Sequence, residues 1–362
     1  GIEIDKEGDN WIVEGGQLTA SSEPINCNQS GTTLRLLLGT CSLLEEKCIV
    51  TGAPQLLKRP NAPLLGALEQ LGVQTESKGG FPPISIKGKM KGGVAEIRGD
   101  VSSQFISSLI LAAPYSEEPV TIKVTKRFES KPYVQMTLDA MRKCGVRATS
   151  KQGGAEIRIP LGEYKPTRTR IEGDWSSAAF MLAAGVLSGK VHVDKLDMDS
   201  SQADKEIMHA LDLMGAQVKV KGNRVTAERS YLRGIEMNLS DSPDMFPIVS
   251  SLCSIARGRS TLTGLGRLRL KESDRLLAMA EGLTAMGARI HVEENSCIIE
   301  GGLLKGAVID PHGDHRIAMS FAVLGTLADG ETIIKDRDCV NKSYPGFWDD
   351  LESLGAETRR IE

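Results

Sequence analysis

The sequence has little that points to a membrane, to nucleic acid or to an oxidising compartment. No apolar run in its 362 residues approaches the roughly 18 residues that a membrane-spanning helix needs. Its 44 Lys and Arg residues are balanced by 47 Asp and Glu residues, and a net charge of −3 argues against a general nucleic-acid binder. The seven cysteines are odd in number and include no Cys-x-x-Cys pair, so we expect reduced thiols in a cytoplasmic protein.

Metal-ligating residues are also scarce. The sequence has five histidines, and although His312 and His315 stand close together, no third ligand lies near them in the sequence. We therefore expect no metal site. Hydrophobic residues make up 40% of the chain and charged residues 25%, which is ordinary for a globular protein. The length predicts about two domains.

What the sequence does contain is a repeated design of a strand, a polar turn and an apolar helix. The small or acidic residues of each turn can cap the helix, and the same exposed backbone N–H groups can bind an anion. Because the helices are apolar nearly all round, as in Phe180–Leu187 and Ile317–Leu327, we expect them to be buried. The five copies are Ile25–Glu46, Gly99–Pro114, Ile171–Gly189, Leu239–Gly258 and Ile309–Gly330.

A second marker accompanies each copy. It is an amphipathic helix that ends in a hydrophobic or similar residue followed by glycine, with a strand after it. The glycines are Gly72, Gly145, Gly215, Gly287 and Gly355. They recur about every 70 residues, and a period of this size is a fold signature. Counting one further period back from Gly72 reaches Gly1, which would be a sixth marker. Because each marker follows a helix, we expect a strand–helix–strand–helix segment of roughly 60–70 residues upstream of this chain.

Strands and helices alternate along the whole chain, which predicts an α/β or α+β protein. Six units grouped three and three would give two domains of similar design. We expect these domains to be residues 1–171 and 172–362, with the boundary near Arg170–Gly173. The connections are short and contain no low-complexity linker, which favours two hinged domains around a cleft that holds the active site.

The polar turns of the first half carry a set of candidate binding residues. Each stands at or beside a predicted helix start, where it either binds an anionic or hydroxylated ligand or simply caps the helix. Both possibilities stay open for Ser130 and Tyr133, which precede the predicted helix Val134–Cys144. The candidates are Gly31, Arg59, Ser102, Ser103, Gln104, Ser130 and Tyr133.

The densest charge cluster of the second half is RLRLKESDR, from Arg267 to Arg275. Lys271 and Arg275 are four residues apart, which predicts that they share one face of a helix. Leu276 and Leu277 would anchor that helix in a core. Basic residues at the positive end of a helix dipole are unfavourable unless an anion compensates them. We therefore favour an anion site here over an exposed, salt-bridged helix start.

Asp244, in SPDMFP, is either a helix cap or a general base. Four cations stand at the edges of predicted helix starts, namely Arg59, Arg275, Arg316 and Lys342. If the repeats stack equivalently, these helix ends face a common cleft. Such a site suits a ligand with several negative groups.

Together these residues make the chain closely resemble the EPSP synthase family (3-phosphoshikimate 1-carboxyvinyltransferases). The matching motifs are SGTTLR, KRP, GDVSSQF, SKPY, IEGDWSSA, RLKESDRL, GDHRIAMS and NKSYPGFW, in the family's order over residues 26–350. The resemblance implies two domains, each of three βαβαββ units. It implies transfer of the enolpyruvyl group of phosphoenolpyruvate to the 5-hydroxyl of shikimate 3-phosphate, with release of phosphate, in the shikimate pathway. It also implies a monomer without metal or organic cofactor.

The resemblance further implies a role for each motif residue. Asp244 takes the proton from the 5-hydroxyl, and Glu272 donates a proton to the methylene carbon. The residues that hold phosphoenolpyruvate are Gly31, Arg59, Gln104, Arg275, Arg316 and Lys342. Those that hold shikimate 3-phosphate are Ser102, Ser103, Gln104, Ser130, Tyr133, Asp244, Arg267 and Lys271.

The chain departs from the family pattern at several positions. The family's N-terminal Ser-Lys-Ser motif and the Arg that follows it are absent from this sequence. Gln29 and Gln55 stand where Asn and a basic residue are usual, and Arg267 stands where a shorter polar group is common. We expect the full-length protein to be active and this chain alone to be inactive or very weak. Turnover by the purified 362-residue chain would contradict that expectation.

Three other functions stay open. UDP-N-acetylglucosamine enolpyruvyl transferase shares the fold and the donor but uses a loop cysteine as acid, and no cysteine here lies in a comparable glycine-flanked loop. A non-catalytic fragment or binding module is compatible with the absent Ser-Lys-Ser motif. A relative of RNA 3′-terminal phosphate cyclase would carry a nucleotidylated histidine near its end, whereas the last histidine here is His315, in the GDHR motif.

Overall fold

A computed structural model describes residues 2–151 and 153–361; Gly1, the sixth marker of the predicted repeat, lies outside them. The chain divides into two compact units, one ending at Thr169 (unit 1) and the other beginning at Arg170 (unit 2). Each unit combines strands and helices around its own hydrophobic core. The predicted mixed α/β class is therefore confirmed. Within the described ranges, no helix is long and apolar enough to cross a membrane.

Unit 1 alternates short strands with helices. Its strands are β1 (Glu3–Glu7), β2 (Asn10–Glu14), β3 (Ile25–Asn26), β4 (Cys48–Thr51), β5 (Gln74–Lys78), β6 (Phe81–Lys87), β7 (Gly93–Arg98), β8 (Val120–Thr125), β9 (Thr149–Lys151) and β10 (Glu156–Ile159). Its α-helices are α1 (Gly31–Cys41), α2 (Ala62–Gln70), α3 (Ser103–Ala112) and α4 (Lys131–Lys143).

Two four-stranded sheets of unit 1 are built in the same way. Their strand orders are β3-β4-β6-β5 and β7-β8-β10-β9. In both sheets the first pair is parallel and the other pairs are antiparallel. Parallel neighbours need a crossover connection, and α1 and α3 supply it. Strands β1 and β2 form a separate antiparallel hairpin.

Unit 2 continues this alternation. Its strands are β11 (Lys190–Val193), β12 (Gln217–Lys221), β13 (Arg224–Glu228), β14 (Glu236–Asn238), β15 (Arg259–Thr263), β16 (Arg289–Val292), β17 (Ser296–Glu300), β18 (Val308–Ile309) and β19 (Ile333–Ile334). Its α-helices are α5 (Trp175–Ser188), α6 (Ile207–Leu213), α7 (Phe246–Ile255), α8 (Arg275–Ala285), α9 (His315–Gly325) and α10 (Phe347–Ser353).

The sheet β14-β15-β17-β16 of unit 2 has the same order and the same strand directions as the two sheets of unit 1. Unit 2 also contains the antiparallel sheet β11-β13-β12 and the parallel pair β18-β19. The order strand, helix, strand, helix, strand, strand thus recurs in both units. The number of three such units in each domain stays a prediction.

The helices that follow the polar turns are buried, as their composition predicts. In α5 every residue from Ala178 to Leu187 is buried. The prediction for the last such helix is two residues too long, because α9 ends at Gly325 and Leu327 is exposed in the turn that follows. The hydroxyl of Thr326 donates to the carbonyl of Val323 and closes this helix.

The five marker glycines end their helices by adopting a left-handed backbone conformation. Each lies two residues beyond the last residue of α2, α4, α6, α8 or α10, with φ between 77° and 98°. Glycine takes this conformation without a Cβ clash, which makes it the usual residue just past a helix end. The marker is incomplete at Gly355, because residues 356–361 form no strand.

Candidate functional site

Charged side chains from five segments of unit 2 form one group, which we call the unit 2 charge cluster. It consists of Asp204, Asp244, Lys271, Glu272, Arg275, Asp314, Arg316 and Lys342. Members that pair are far apart in sequence, because Glu272 and Lys342 are separated by 70 residues and Asp204 and Arg316 by 112. Packing of the turns beside α5, α7, α8 and α9 therefore creates it.

Arg275, the first residue of α8, is the most buried cation of the cluster, with a side chain 1% exposed. Its Nε donates to Asp314 Oδ2 at 2.7 Å and its Nη1 to Asp244 Oδ1 at 2.6 Å. Its Nη2 donates to Glu272 Oε2 at 2.8 Å. Burial alone would lower the pKa of Arg275, but the three carboxylates outweigh it and hold that pKa well above its usual range. The guanidinium therefore fixes three acids through its rigid fork of donors.

The prediction that Lys271 and Arg275 share a helix face is wrong. Helix α8 begins at Arg275 because the Asp274 side chain accepts the N–H of Leu277 at 3.2 Å and caps the helix there. Lys271 precedes the helix in extended conformation. The two cations meet instead on Asp244, whose Oδ1 also accepts from Lys271 Nζ at 3.0 Å. Leu277, predicted to reach the core, is 44% exposed.

The positive helix end is indeed compensated by anions, but these belong to the protein itself. Asp314, the N-cap of α9, is fully buried against Arg275. Glu272 bridges two cations, because its Oε1 accepts from Lys342 Nζ at 3.0 Å and its Oε2 from Arg275. With all eight ionised, the four carboxylates and four cations of the cluster balance to zero. A ligand anion therefore competes with these carboxylates for the cations.

Asp244 does not cap a helix; it lies in the short turn Pro243–Met245 before α7 and makes no capping hydrogen bond. Its Oδ2 lies 3.4 Å from Arg316 Nη2, in addition to the contacts of Oδ1 with Lys271 and Arg275. Burial would raise the pKa of Asp244, but the charges of Lys271, Arg316 and Arg275 outweigh it and hold that pKa well below its usual range. Asp244 is therefore an ionised, partly exposed carboxylate among three cations.

Arg316 lies between two carboxylates. Its Nη1 is 3.6 Å from Asp204 Oδ2, while its Nη2 faces Asp244. Burial raises the pKa of Asp204, and the charge of Arg316 opposes that rise. The neighbouring His315 is buried, and burial lowers its pKa to about 4, so its imidazole is neutral at pH 7.

The cations differ in how open they are to a ligand. The side chains of Lys271, Lys342 and Arg316 are 22%, 19% and 11% exposed. Arg275 is enclosed by its three acids. Arg267 lies at one side, where its Nη2 donates to the carbonyl of Ser240 at 2.6 Å. Burial lowers the pKa of Lys271, Asp244 opposes this, and the charge of Arg267 is among those that add to the lowering.

Unit 1 contains a second group, which we call the unit 1 polar cluster: Gly31, Thr32, Arg35, Arg59, Asn61, Ser102 and Gln104. Arg35, on α1, is buried and donates from Nη1 to Gln104 Oε1 at 2.6 Å and to Ser102 Oγ at 3.4 Å. Its Nε donates to Asn61 Oδ1 at 3.3 Å. The amide of Gln104 then donates to Thr32 Oγ1 at 2.7 Å. The starts of α1 and α3 are joined in this way.

Arg59 packs directly on the start of α1. A Cβ at Gly31 would lie 2.6 Å from Arg59 Nη1, so a side chain at this position would displace the guanidinium. The Asn61 side-chain amide donates to the carbonyl of Arg59 at 2.9 Å and holds the chain there. The predicted residues Gly31 and Arg59 are therefore neighbours.

The remaining predicted residues of unit 1 lie at two helix starts. Ser103 is the buried first residue of α3, and Ser102 caps that helix by accepting the N–H of Gln104. Helix α4 begins three residues earlier than predicted, at Lys131. Ser130 precedes it with φ of 55° and makes no side-chain cap, while its carbonyl accepts the N–H of Tyr133 at 3.2 Å.

Sequence reasoning missed five members of the two clusters as functional candidates: Thr32, Arg35, Asn61, Asp204 and Asp314. Arg35 and Asp314 lie inside quoted motifs, SGTTLR and GDHRIAMS, so the motifs themselves contain a usable signal. Asn61 directly follows KRP. Asp204 lies outside the motifs, and only the folded chain brings it to Arg316.

Cations fixed at the starts of buried helices, with acids between them, define a class of protein: a mixed α/β enzyme for anionic substrates. The family model of EPSP synthase (3-phosphoshikimate 1-carboxyvinyltransferase) matches residues 1–351. The 3-phosphoshikimate 1-carboxyvinyltransferases of Methanocorpusculum labreanum and Methanocaldococcus jannaschii are 42% and 41% identical to this chain, over 98% of its length and 85% and 84% of theirs. The EPSP synthase structure from Acinetobacter baumannii matches with a TM-score of 0.80 at 27% identity, over 98% of this chain and 85% of that one.

The chain belongs to the EPSP synthase family. Members of this family transfer the enolpyruvyl group of phosphoenolpyruvate to shikimate 3-phosphate in the shikimate pathway, and the function predicted from the motifs is confirmed at this level. The alternatives of a UDP-N-acetylglucosamine enolpyruvyl transferase and of a phosphate cyclase relative are not supported.

Proposed function

We propose that the two clusters perform the family's reaction in this chain, with Asp244 as general base and Glu272 as general acid. The observation that supports this most is the environment of Asp244. It is an ionised carboxylate that is accessible from solvent. It contacts three cations, which would also attract the anionic groups of the substrates. Glu272 is linked to it through Arg275, so a base and an acid are fixed beside one another.

The first step is addition. Asp244 accepts the proton of the 5-hydroxyl as that oxygen bonds to C2 of phosphoenolpyruvate, and Glu272 donates a proton to the methylene carbon. In the second step phosphate leaves with its bonding electron pair, and a proton is lost from the new methyl group, so the two acids exchange roles. A carboxylate with a strongly lowered pKa is a weak base. Substrate anions that engage Lys271 and Arg316 would remove part of that lowering and raise the basicity of Asp244.

The exposed cations are the binding groups in this proposal. Lys342 and Arg316 hold phosphoenolpyruvate, together with Arg59, Gly31 and Gln104. Three acids enclose Arg275. It can therefore donate to phosphoenolpyruvate only after its hydrogen bond with Asp244 or with Glu272 has broken. The residues proposed for shikimate 3-phosphate are Ser102, Ser103, Gln104, Ser130, Tyr133, Asp244, Arg267 and Lys271.

The proposal includes a monomeric protein in the cytoplasm. All seven cysteines are free thiols, five of them buried, which fits a reducing compartment. Size-exclusion chromatography with light scattering tests the monomer, and a dimer at micromolar concentration would refute it.

The decisive variant is Asp244→Asn, which keeps the shape of the side chain and removes the base. We expect kcat to fall by about a thousandfold, since positioned acid–base groups contribute about 10²–10⁴. The dissociation constant of shikimate 3-phosphate, measured by calorimetry with and without phosphoenolpyruvate, should change much less. Asp241→Asn, an exposed residue of the same loop, is the matched control and should keep the parent kcat. An Asp244→Asn protein with parental kcat would refute the assigned base.

A further inference from the structure

We propose that Asp204 is a positioning residue, which holds the guanidinium of Arg316 in the orientation that phosphoenolpyruvate requires. The proposal rests on the proposed function, because it takes Arg316 as a ligand of that substrate. Asp204 itself touches neither reacting group in the proposed reaction. It acts through Arg316, whose Nη1 it faces, while Nη2 faces the carboxylate of the base.

The geometry around Arg316 carries the inference. Asp204 is buried in the short helical turn Ala203–Glu206, and its Oδ2 is 3.6 Å from Arg316 Nη1. The hydroxyl of Ser176 donates to the same Oδ2. Nη1 of Arg316 also donates to the main-chain carbonyl of Asp244 at 3.5 Å, and the other terminal nitrogen, Nη2, faces the Asp244 carboxylate at 3.4 Å. The guanidinium thus lies between a carboxylate that the fold buries and the carboxylate proposed as base.

Asp204 is able to set a position because its own segment is tied to the start of α5. The side chain of Gln202 accepts the N–H of Trp175 and donates to the carbonyl of Gly173, both at 2.9 Å. Lys205, next to Asp204, donates from Nζ to the carbonyl of Ser200 at 2.8 Å. Five hydrogen bonds made by the side chains of Gln202, Asp204 and Lys205 therefore fix this turn.

Asp204 and Arg316 also depend on each other electrostatically. Burial disfavours the Asp204 carboxylate, and the positive charge of Arg316 opposes this effect. An anion that binds Nη2 competes with Asp244, but it leaves the Nη1 contact with Asp204 in place. Because Asp204 holds Nη1, the guanidinium of Arg316 keeps its direction when Nη2 exchanges Asp244 for a substrate anion. Without that hold, the exchange of partners at Nη2 would change the direction of the guanidinium.

The test is steady-state kinetics of Asp204→Asn in the protein as its gene encodes it. This variant keeps the shape and the hydrogen bond with Ser176 but removes the charge. We expect KM for phosphoenolpyruvate to rise by about tenfold while kcat changes by less than about threefold. The dissociation constant of shikimate 3-phosphate in the absence of phosphoenolpyruvate should stay at the parent value. Asp204→Glu restores the charge and should recover part of the lost affinity.

Two further variants separate the possible failures. Ser176→Ala loosens Asp204 without removing charge and should raise the same KM by about twofold, which keeps the proposal testable if Asp204→Asn does not fold. Arg316→Lys should raise KM for phosphoenolpyruvate at least as much as Asp204→Asn.

A parental KM in Asp204→Asn beside an impaired Arg316→Lys would refute the role of Asp204. A parental KM in Arg316→Lys would instead refute the assignment of Arg316. A joint loss of kcat, both affinities and melting temperature in Asp204→Asn would assign it a structural role only.

Discussion

Two buried arginines, one in each unit, have different kinds of partner. Arg35 in unit 1 is 6% exposed and is held by the neutral oxygens of Asn61, Gln104 and Ser102. Arg275 in unit 2 is held by three carboxylates. Neutral acceptors orient a guanidinium without cancelling its charge, whereas carboxylates orient it and cancel the charge as well. The comparison separates an arginine that orients neutral amide and hydroxyl groups from an arginine that orients acids.

This difference matches the roles proposed for the two clusters. The unit 1 polar cluster offers amides, hydroxyls and backbone N–H groups at helix starts, which orient a bound ligand but do not exchange protons at neutral pH. The unit 2 charge cluster contains the acids that proton transfer needs, and Arg275 keeps them apart at fixed positions. Under the proposed function, the proton transfers take place on acids of unit 2, while unit 1 contributes binding groups.

Removing each arginine in turn should give the largest difference between the two units. Arg275→Met leaves Asp314 buried without its charge partner, and we expect it to destabilise the protein by about 3–5 kcal/mol. Arg35→Met leaves neutral acceptors unsatisfied, and we expect about 1–3 kcal/mol. Urea unfolding at pH 7, followed by circular dichroism, measures both. Equal losses would contradict the distinction between charged and neutral partners.

Acidification should affect unit 2 through His315. Burial holds its folded-state pKa at about 4, below the value near 6.5 of the unfolded chain. Between these values the unfolded state binds more protons, so stability is complete above pH 6.5 and is lost as the pH falls towards 4. His315 should account for about 2 kcal/mol of the loss between pH 6.5 and 5.

The measurement is urea unfolding of the parent and of His315→Gln at pH 7 and pH 5. The variant should lose less stability than the parent over this interval, because it cannot take up the proton. His192→Gln removes an exposed histidine of β11 and serves as the control, which should follow the parent. An unchanged pH dependence in His315→Gln would contradict the prediction.

The smallest effect is expected where a pair of charges is open to solvent. Arg224 pairs with Asp194 through Nε at 2.6 Å and Nη2 at 2.8 Å, although both side chains are 54% exposed. Solvent screens such a pair, and its geometry alone does not make it stabilising. Arg224→Ala should therefore have the same urea midpoint as the parent within measurement error. A loss of stability comparable with that of Arg35→Met would show that burial does not decide how much an arginine contributes.

Much of the local structure was predictable because it depends on near neighbours. The marker glycines, such as Gly72 and Gly287, end helices through their own backbone conformation. Apolar composition predicted the burial of α5. Local reasoning failed at Lys271, where a spacing of four residues was taken for a helix face. Asp274 caps the helix, so α8 begins only at Arg275 and Lys271 lies outside it. A spacing of four residues therefore places the two side chains on no common helix face.

The mixed α/β class, the helix ends at the marker glycines and the motifs of the EPSP synthase family could all be predicted from the amino-acid sequence. Which charges meet depends instead on how distant segments pack in the folded chain. Asp244 and Lys271 are 27 residues apart, and Arg275 and Asp314 are 39 apart. A helix cap or a glycine turn is satisfied by atoms within a few residues, whereas an ion pair needs two distant segments to pack and exclude water. That is why Asp204, far in sequence from Arg316, became a candidate only in the folded chain.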